Sequence, residues 1–176
     1  MLEILLLGVI HQCQRDMMTL PENLRAVYSE QRALYGQWVR GHVKDFSPEL
    51  IFDEMNLPEN EARNRLRDTG VLWVYMDIPE EVRMRFGLSG SRPPGSEWLP
   101  EIDEPREDYW LIVIEKMSEA CKLKKVLVLC GAAHLDSFGN KLKRRGHQVE
   151  VRDLRTETWV NFNWIPRKPQ VFNEEL

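Results

Sequence analysis

The stretch Lys125-Val126-Leu127-Val128-Leu129-Cys130-Gly131-Ala132-Ala133-His134 decides how this chain is read. An unbroken apolar run, Val126 to Cys130, stops at a glycine and presents a histidine three residues later. Short continuous apolar runs read as strands buried on both faces, as in a parallel sheet covered by helices. The same pattern opens the chain, where Ile4-Leu5-Leu6-Leu7 leads into Gly8-Val9-Ile10-His11. Parallel strands bring their carboxyl ends to one edge of the sheet, where ligand crevices form. Two imidazoles delivered to that edge from opposite ends of the chain predict a shared site.

Working outward, strands are expected over 3–10, 49–52, 71–76, 125–130 and 148–151. Helical stretches separate them. One spans about 20–43, with Pro21 in its first turn, Thr19 as a cap, and Leu24, Val27, Leu34 and Trp38 at near-helical spacing. Others are expected from Pro58 to about Arg67, closed by Gly70, from Pro79 to near Gly87, and from His134 to Arg145. Pro105 is expected to begin a helix whose face carries Tyr109, Ile112, Val113 and Met117. Alternation of this kind predicts an α/β fold with a largely parallel central sheet of about five strands and helices on both faces.

A chain of 176 residues is long enough for one compact domain, so residues 1–176 are read as a single α/β domain. Residues 88–104 hold Gly90, Pro93, Pro94, Gly95 and Pro100, with Trp98 and Leu99 as apolar anchors, and read as a lid-like loop. Residues 156–176, with Trp159, Phe162, Trp164 and Phe172 among prolines, read as a C-terminal extension packed on the body or on another subunit. A net charge of -4 argues against a dedicated nucleic-acid binder. The opening apolar run contains Glu3, is too short to span a bilayer and lacks a basic flank, so neither a membrane span nor a signal peptide is expected. Cys13, Cys121 and Cys130 form no paired framework, which fits a reduced, cytoplasmic setting.

Four of the strands hand a polar group to the common edge: His11, then Asp53 and Glu54, then Asp77, then His134. Two histidines and a carboxylate, His11, Glu54 and His134, suit a divalent metal ion such as manganese, cobalt or zinc, which would activate water. Without a metal, one histidine would act as general base and Glu54 would orient its ring. Arg106, placed early in a helix where a cation has no dipole reason to be, could take a substrate carboxylate or phosphate, or an oxyanion. Asp77, Trp98, Gly8 and Gly131 are read as lining the substrate, the glycines because they admit close approach. The neutral readings are a surface cap for Glu54, an N-cap for Asp77, and ordinary ion pairs for Arg106 among Glu104, Glu107 and Asp108. The Lys141, Lys143, Arg144 and Arg145 run, with Lys122, Lys124 and Lys125, reads as a solvated helix face before it reads as a nucleic-acid surface.

At these residues the chain resembles the TraB/PrgY–TIKI group, within the wider ChaN-like and erythromycin-esterase-like assemblage. That group carries two GxxH motifs with a glutamate and an arginine between them. Gly8 to His11 and Gly131 to His134 match the motifs, and Glu54 and Arg106 match the other two by order and place. Ile10 stands before His11, unlike the acidic pattern of the esterase branch. The resemblance implies an α/β fold and a hydrolytic site, metal-dependent in one branch and metal-free in another.

The resulting expectation is a hydrolase in which His11, Glu54, Arg106 and His134 activate water against an ester, amide or phosphoester of a small molecule or peptide. Its alternatives are a ligand-binding or regulatory module without turnover, and a nucleic-acid-associated protein using residues 141–145. A homo-oligomer is compatible with either. His134→Ala is expected to abolish function and leave the fold intact.

Overall fold

The computed structural model describes residues 1–14, 22–56, 60–88 and 98–160. Its strands are β1 (Glu3–Val9), β2 (Leu50–Asp53), β3 (Leu72–Tyr75), β4 (Lys125–Gly131) and β5 (Gln148–Asp153). The helices are α1 (His11–Gln14), α2 (Glu22–Phe46), α3 (Glu61–Arg65), α4 (Glu80–Arg85), α5 (Pro100–Ala120) and α6 (Leu135–Arg144). The strands form one sheet in the order β3-β2-β4-β1-β5, parallel at every pairing. The α/β architecture expected from the strand pattern is therefore the observed one.

Side chains alternate across the sheet as a period of two requires. Leu5, Leu7 and Val9 of β1, with Leu127 and Leu129 of β4, join Tyr28, Tyr35 and Val39 of α2 and Ala62 of α3 on one face. Ile4 and Leu6, with Val126, Val128 and Cys130, join Trp110 and Ile114 of α5 and Phe138 and Leu142 of α6 on the other. Fully burying each such side chain contributes about 1.5–3 kcal/mol. The connections sort the same way. Crossovers from β1 to β2 and on to β3 run toward one edge over the α2 and α3 face, and those through β4 to β5 return over the α5 and α6 face. A single crossover hand demands that pattern. The neighbouring strands β1 and β4 therefore send their exits to opposite faces, which opens a crevice at their carboxyl ends.

Several boundaries differ from expectation. The helix read as beginning at Pro105 begins at Pro100 and carries Pro105 inside it. Leu99 caps it: its N–H donates to Asp103 Oδ2 at 2.7 Å, and its carbonyl accepts from Asp103 N at 2.8 Å. The buried face of α5 is Asp103, Arg106, Glu107, Trp110, Ile114 and Ser118, whereas Tyr109 and Ile112 are exposed. Of the lid-like loop 88–104, residues 100–104 are thus helical, and 89–97 lie outside the described residues. Asn60 caps α3, accepting from Ala62 N and Arg63 N, and Pro58 lies outside the described residues. Gly70 has φ 71°, the left-handed geometry that ends this segment as expected. The start of the C-terminal extension packs on the body. Trp159 and Val160 join the α2 face, and Gln31 donates to the Trp159 carbonyl at 2.9 Å. Residues 161–176 of that extension are outside the described residues. No helix among the described residues is long and apolar enough to cross a membrane.

Candidate active site

Glu54 follows β2 and lies at the centre of the strand-end crevice, 6% exposed. Its Oε2 accepts the Gly131 N–H at 2.7 Å and lies 3.3 Å from His11 Nε2. Its Oε1 accepts from Arg106 Nη2 at 2.5 Å and lies 4.0 Å from His134 Nε2. One buried carboxylate thus faces both histidines, the arginine and the second motif's glycine. His11, Glu54, Arg106 and His134, the four residues expected to act together, are thus in one cluster.

The two glycines do different work, each for the other motif. A Cβ on Gly131 would stand 2.7 Å from His11 Nε2, and one on Gly8 would stand 2.4 Å from Leu135 Cδ1. Val9 pairs with Gly131 and Gly8 with Cys130, so the turns are adjacent in register. Gly8 therefore admits the side chain that starts α6, and Gly131 admits the imidazole that starts α1. Neither glycine is kept from substrate contact by this geometry, but packing alone accounts for both.

Each histidine has its second nitrogen held by a partner the sequence did not flag. His11 Nδ1 meets Gln14 Oε1 at 2.8 Å, and Gln14 Nε2 donates to Asp53 Oδ1 at 3.4 Å. Asp53 also accepts from Met55 N at 2.9 Å and Asn60 Nδ2 at 2.8 Å. On the other side, His134 Nδ1 meets Glu107 Oε1 at 2.9 Å, an oxygen that also accepts from Ser137 Oγ at 2.5 Å and Trp98 Nε1 at 2.7 Å. His134 stacks edge-on against Trp110, with ring centroids 4.7 Å apart. Trp98 thus reaches the site by bracing the carboxylate behind His134.

Arg106 is enclosed by acids. Nε donates to Asp77 Oδ1 at 3.1 Å, Nη2 to Asp77 Oδ2 at 2.8 Å, and Nη1 to Asp103 Oδ1 at 3.4 Å, besides the Glu54 contact. Asp77 additionally accepts from Trp110 Nε1 at 2.8 Å and Arg83 Nη1 at 2.9 Å. It is not the cap of α4, whose N-cap is Pro79. Both Arg106 and Asp77 act here as a clamp that fixes Glu54.

The electrostatics follow from these contacts. Burial opposes a charge on His11, but ionised Glu54, its hydrogen bond, and Gln14 and Asp53 outweigh it and hold the pKa above 6.5. Burial opposes a charge on Glu54 too, yet His11, Arg106 and His134 hold its carboxyl well below the usual range. Burial pushes Asp53 up to about 7, against the Met55 N–H bond and the charge of His11, which favour its ionised form. Burial raises the Cys13 thiol to about 12 and pushes the Cys130 thiol well above its ordinary value, so neither is a ready nucleophile.

His11 Nε2, His134 Nε2 and Glu54 are the donor types of a metal site, but the guanidinium sits on Glu54 itself. Among the described residues, no group of three or more His, Cys, Asp or Glu side chains is arranged to hold an ion. The arrangement fits a divalent cation poorly beside Arg106.

No protein-family model, curated protein or solved structure matches the chain.

Proposed function

We propose that the chain is a hydrolase of the two-GxxH type, in which His134 is the general base and His11 the general acid. The observation that carries this reading is that both imidazoles turn Nε2 toward one buried carboxylate, while a different partner holds each Nδ1. His11 sits between two oxygen acceptors, Gln14 Oε1 and Glu54 Oε2, so both its nitrogens carry protons and it is a stored acid. His134 donates Nδ1–H to Glu107 and keeps a lone pair on Nε2, which makes no hydrogen bond among the described residues. The different hydrogen-bond partners of the two rings assign the acid and the base.

In the reaction, a water oxygen attacks the acyl carbon as its proton passes to His134 Nε2. The bond to the leaving oxygen or nitrogen breaks as His11 Nε2–H protonates it, giving acid and alcohol or amine. Proton exchange with solvent resets both rings. Glu54 stays ionised throughout and stabilises the imidazolium on either side. Proton transfer of this kind supplies about 10²–10⁴ in rate.

The nucleic-acid reading is less favoured, because Lys141 pairs with Asp108 at 2.6 Å and Arg145 with Glu115 at 2.8 Å. A binding module without turnover makes the sharper contrast. Hydrolysis of a panel of uncharged and amine-bearing p-nitrophenyl esters separates the two. Turnover is expected to be lost in His134→Gln and His11→Gln, and to survive chelation. A wild-type protein inert to every ester, or variants as active as wild type, would leave only the binding module.

A further inference from the structure

We infer that Asp53, acting through Gln14, is a positioning residue for His11: it holds the Gln14 amide with its oxygen toward the ring, which keeps a proton on Nδ1 and leaves Nε2 as the nitrogen that exchanges its proton. The inference rests on the hydrolytic reading above and adds the residues that prepare its acid.

The relay takes its direction from groups that cannot turn. A side-chain amide can present either end to a neighbour, so its orientation follows from the network it completes. Asn60 Oδ1 accepts from Ala62 N at 3.0 Å and Arg63 N at 3.3 Å, as the cap of α3. Those backbone donors commit the other end of its amide, Nδ2, to Asp53 Oδ2 at 2.8 Å. The Met55 N–H, which also cannot turn, donates to Asp53 Oδ1 at 2.9 Å. An ionised carboxylate accepts only. Gln14 must therefore offer Asp53 its NH2, at 3.4 Å, and turn Oε1 toward His11 Nδ1 at 2.8 Å. That oxygen accepts, so Nδ1 donates. The bond made by one ring nitrogen decides where the exchangeable proton sits.

Gln14 and Asn60 are fully buried and Asp53 nearly so, which leaves no ready place for solvent to replace a missing link. The Tyr35 hydroxyl lies beside the same amide, but a hydroxyl can donate or accept and imposes no direction. His134 is served differently, by a carboxylate in direct contact, Glu107. Direct contact with a charge suits a base that must gain a proton. An amide between Asp53 and His11 passes on orientation and keeps that carboxylate at a distance, which suits a ring that must release one.

The test reads the ring nitrogens of His11 by NMR in protein carrying isotope-labelled histidine. Alkaline buffer makes the ring neutral and ionises Asp53, which burial pushes up to about 7. The His11→Gln variant assigns the signals. Wild type is expected to show the Nδ1–H tautomer. Asp53→Leu, which keeps the branched shape and removes both acceptors, is expected to show Nε2–H, with kcat lower by about 10²-fold and KM little changed. Adding Gln14→Glu to Asp53→Leu is expected to restore Nδ1–H, because a carboxylate has no donor end to misplace. Should Asp53→Leu not fold, Gln14→Met breaks the same link and is expected to show Nε2–H. Wild type in the Nε2–H form, or Nδ1–H retained in folded Asp53→Leu or Gln14→Met, overturns the inference; a purely structural role would lower the unfolding midpoint and leave the tautomer unchanged. The expected tautomers without ester turnover sink the hydrolytic reading alone, and turnover with Nδ1–H retained in the variants sinks the relay alone.

Discussion

The two Gly-x-x-His turns share a pattern and differ in how they are built. His11 stands on a four-residue helix at the mouth of the crevice, with its side chain 30% exposed and held between Gln14 and Glu54. His134 is 4% exposed, packed on Trp110 and tied to a carboxylate that three donors converge on. The first turn presents a proton to the outside, whereas the second is part of the core. The same Gly-x-x-His pattern therefore carries different energetic weight, because burial and partners, not the motif, set the cost of change.

The largest effect should come from the clamp that serves both turns. Arg106→Met leaves Glu54, Asp77 and Asp103 buried without their shared cation, and breaking such a network costs about 3–5 kcal/mol. Urea unfolding measures it; a loss below about 1 kcal/mol would mean the carboxylates are solvated rather than clamped.

Next, the histidines should separate. His11→Gln is expected to lower turnover about 10²–10⁴-fold with little change in the unfolding midpoint. His134→Ala should lower turnover similarly and also cost about 1–3 kcal/mol, since it removes a buried partner of Glu107. The expectation that His134→Ala leaves the fold intact rests on the small volume removed, and the buried Glu107 contact sets a measurable loss against it. Equal stability losses in both variants would erase the contrast.

The glycines sharpen it further. Gly8→Ala drives a Cβ into Leu135 and should cost about 1–3 kcal/mol in stability. Gly131→Ala meets the imidazole of His11, which can swing aside, so the fold is spared and turnover falls. Circular dichroism melts beside ester kinetics read both.

The smallest effect is in the pH dependence of stability. His11 has a raised pKa, so its contribution is complete below 6.5 and is lost as pH climbs through the folded value. Asp53, raised to about 7, keeps a proton in the folded state that the unfolded chain has released, and so also loses stability with rising pH. Unfolding free energy is therefore expected to decline from pH 6 toward 8, and to decline less in His11→Gln. A rise over that window would contradict both shifts.

The doubled motif made the parallel sheet and the meeting of His11, Glu54 and His134 legible, because strand-end position follows from apolar runs alone. The bracing behind the histidines was not legible for a specific reason. Asp103, Arg106, Glu107 and Trp110 fall at i, i+3, i+4 and i+7, one face of a helix, but three of the four are charged, so the apolar pattern pointed to Tyr109 and Ile112 instead. Reading the prolines as loop also moved the start to Pro105 and left Asp103 off the helix. Gln14 was hidden differently: a single turn of helix directly after a strand has too few residues to show a period.

The placement of β1 has a consequence for synthesis. Its neighbours in the sheet, β4 and β5, lie far downstream, at 125–131 and 148–153. While the residues between are synthesised, an apolar segment with two unsatisfied edges waits for partners more than a hundred residues away. Such long-range pairing folds slowly and exposes sticky surface meanwhile. A nascent chain halted before residue 125 is expected to hold its first strand unpaired and to be a ready client for chaperones.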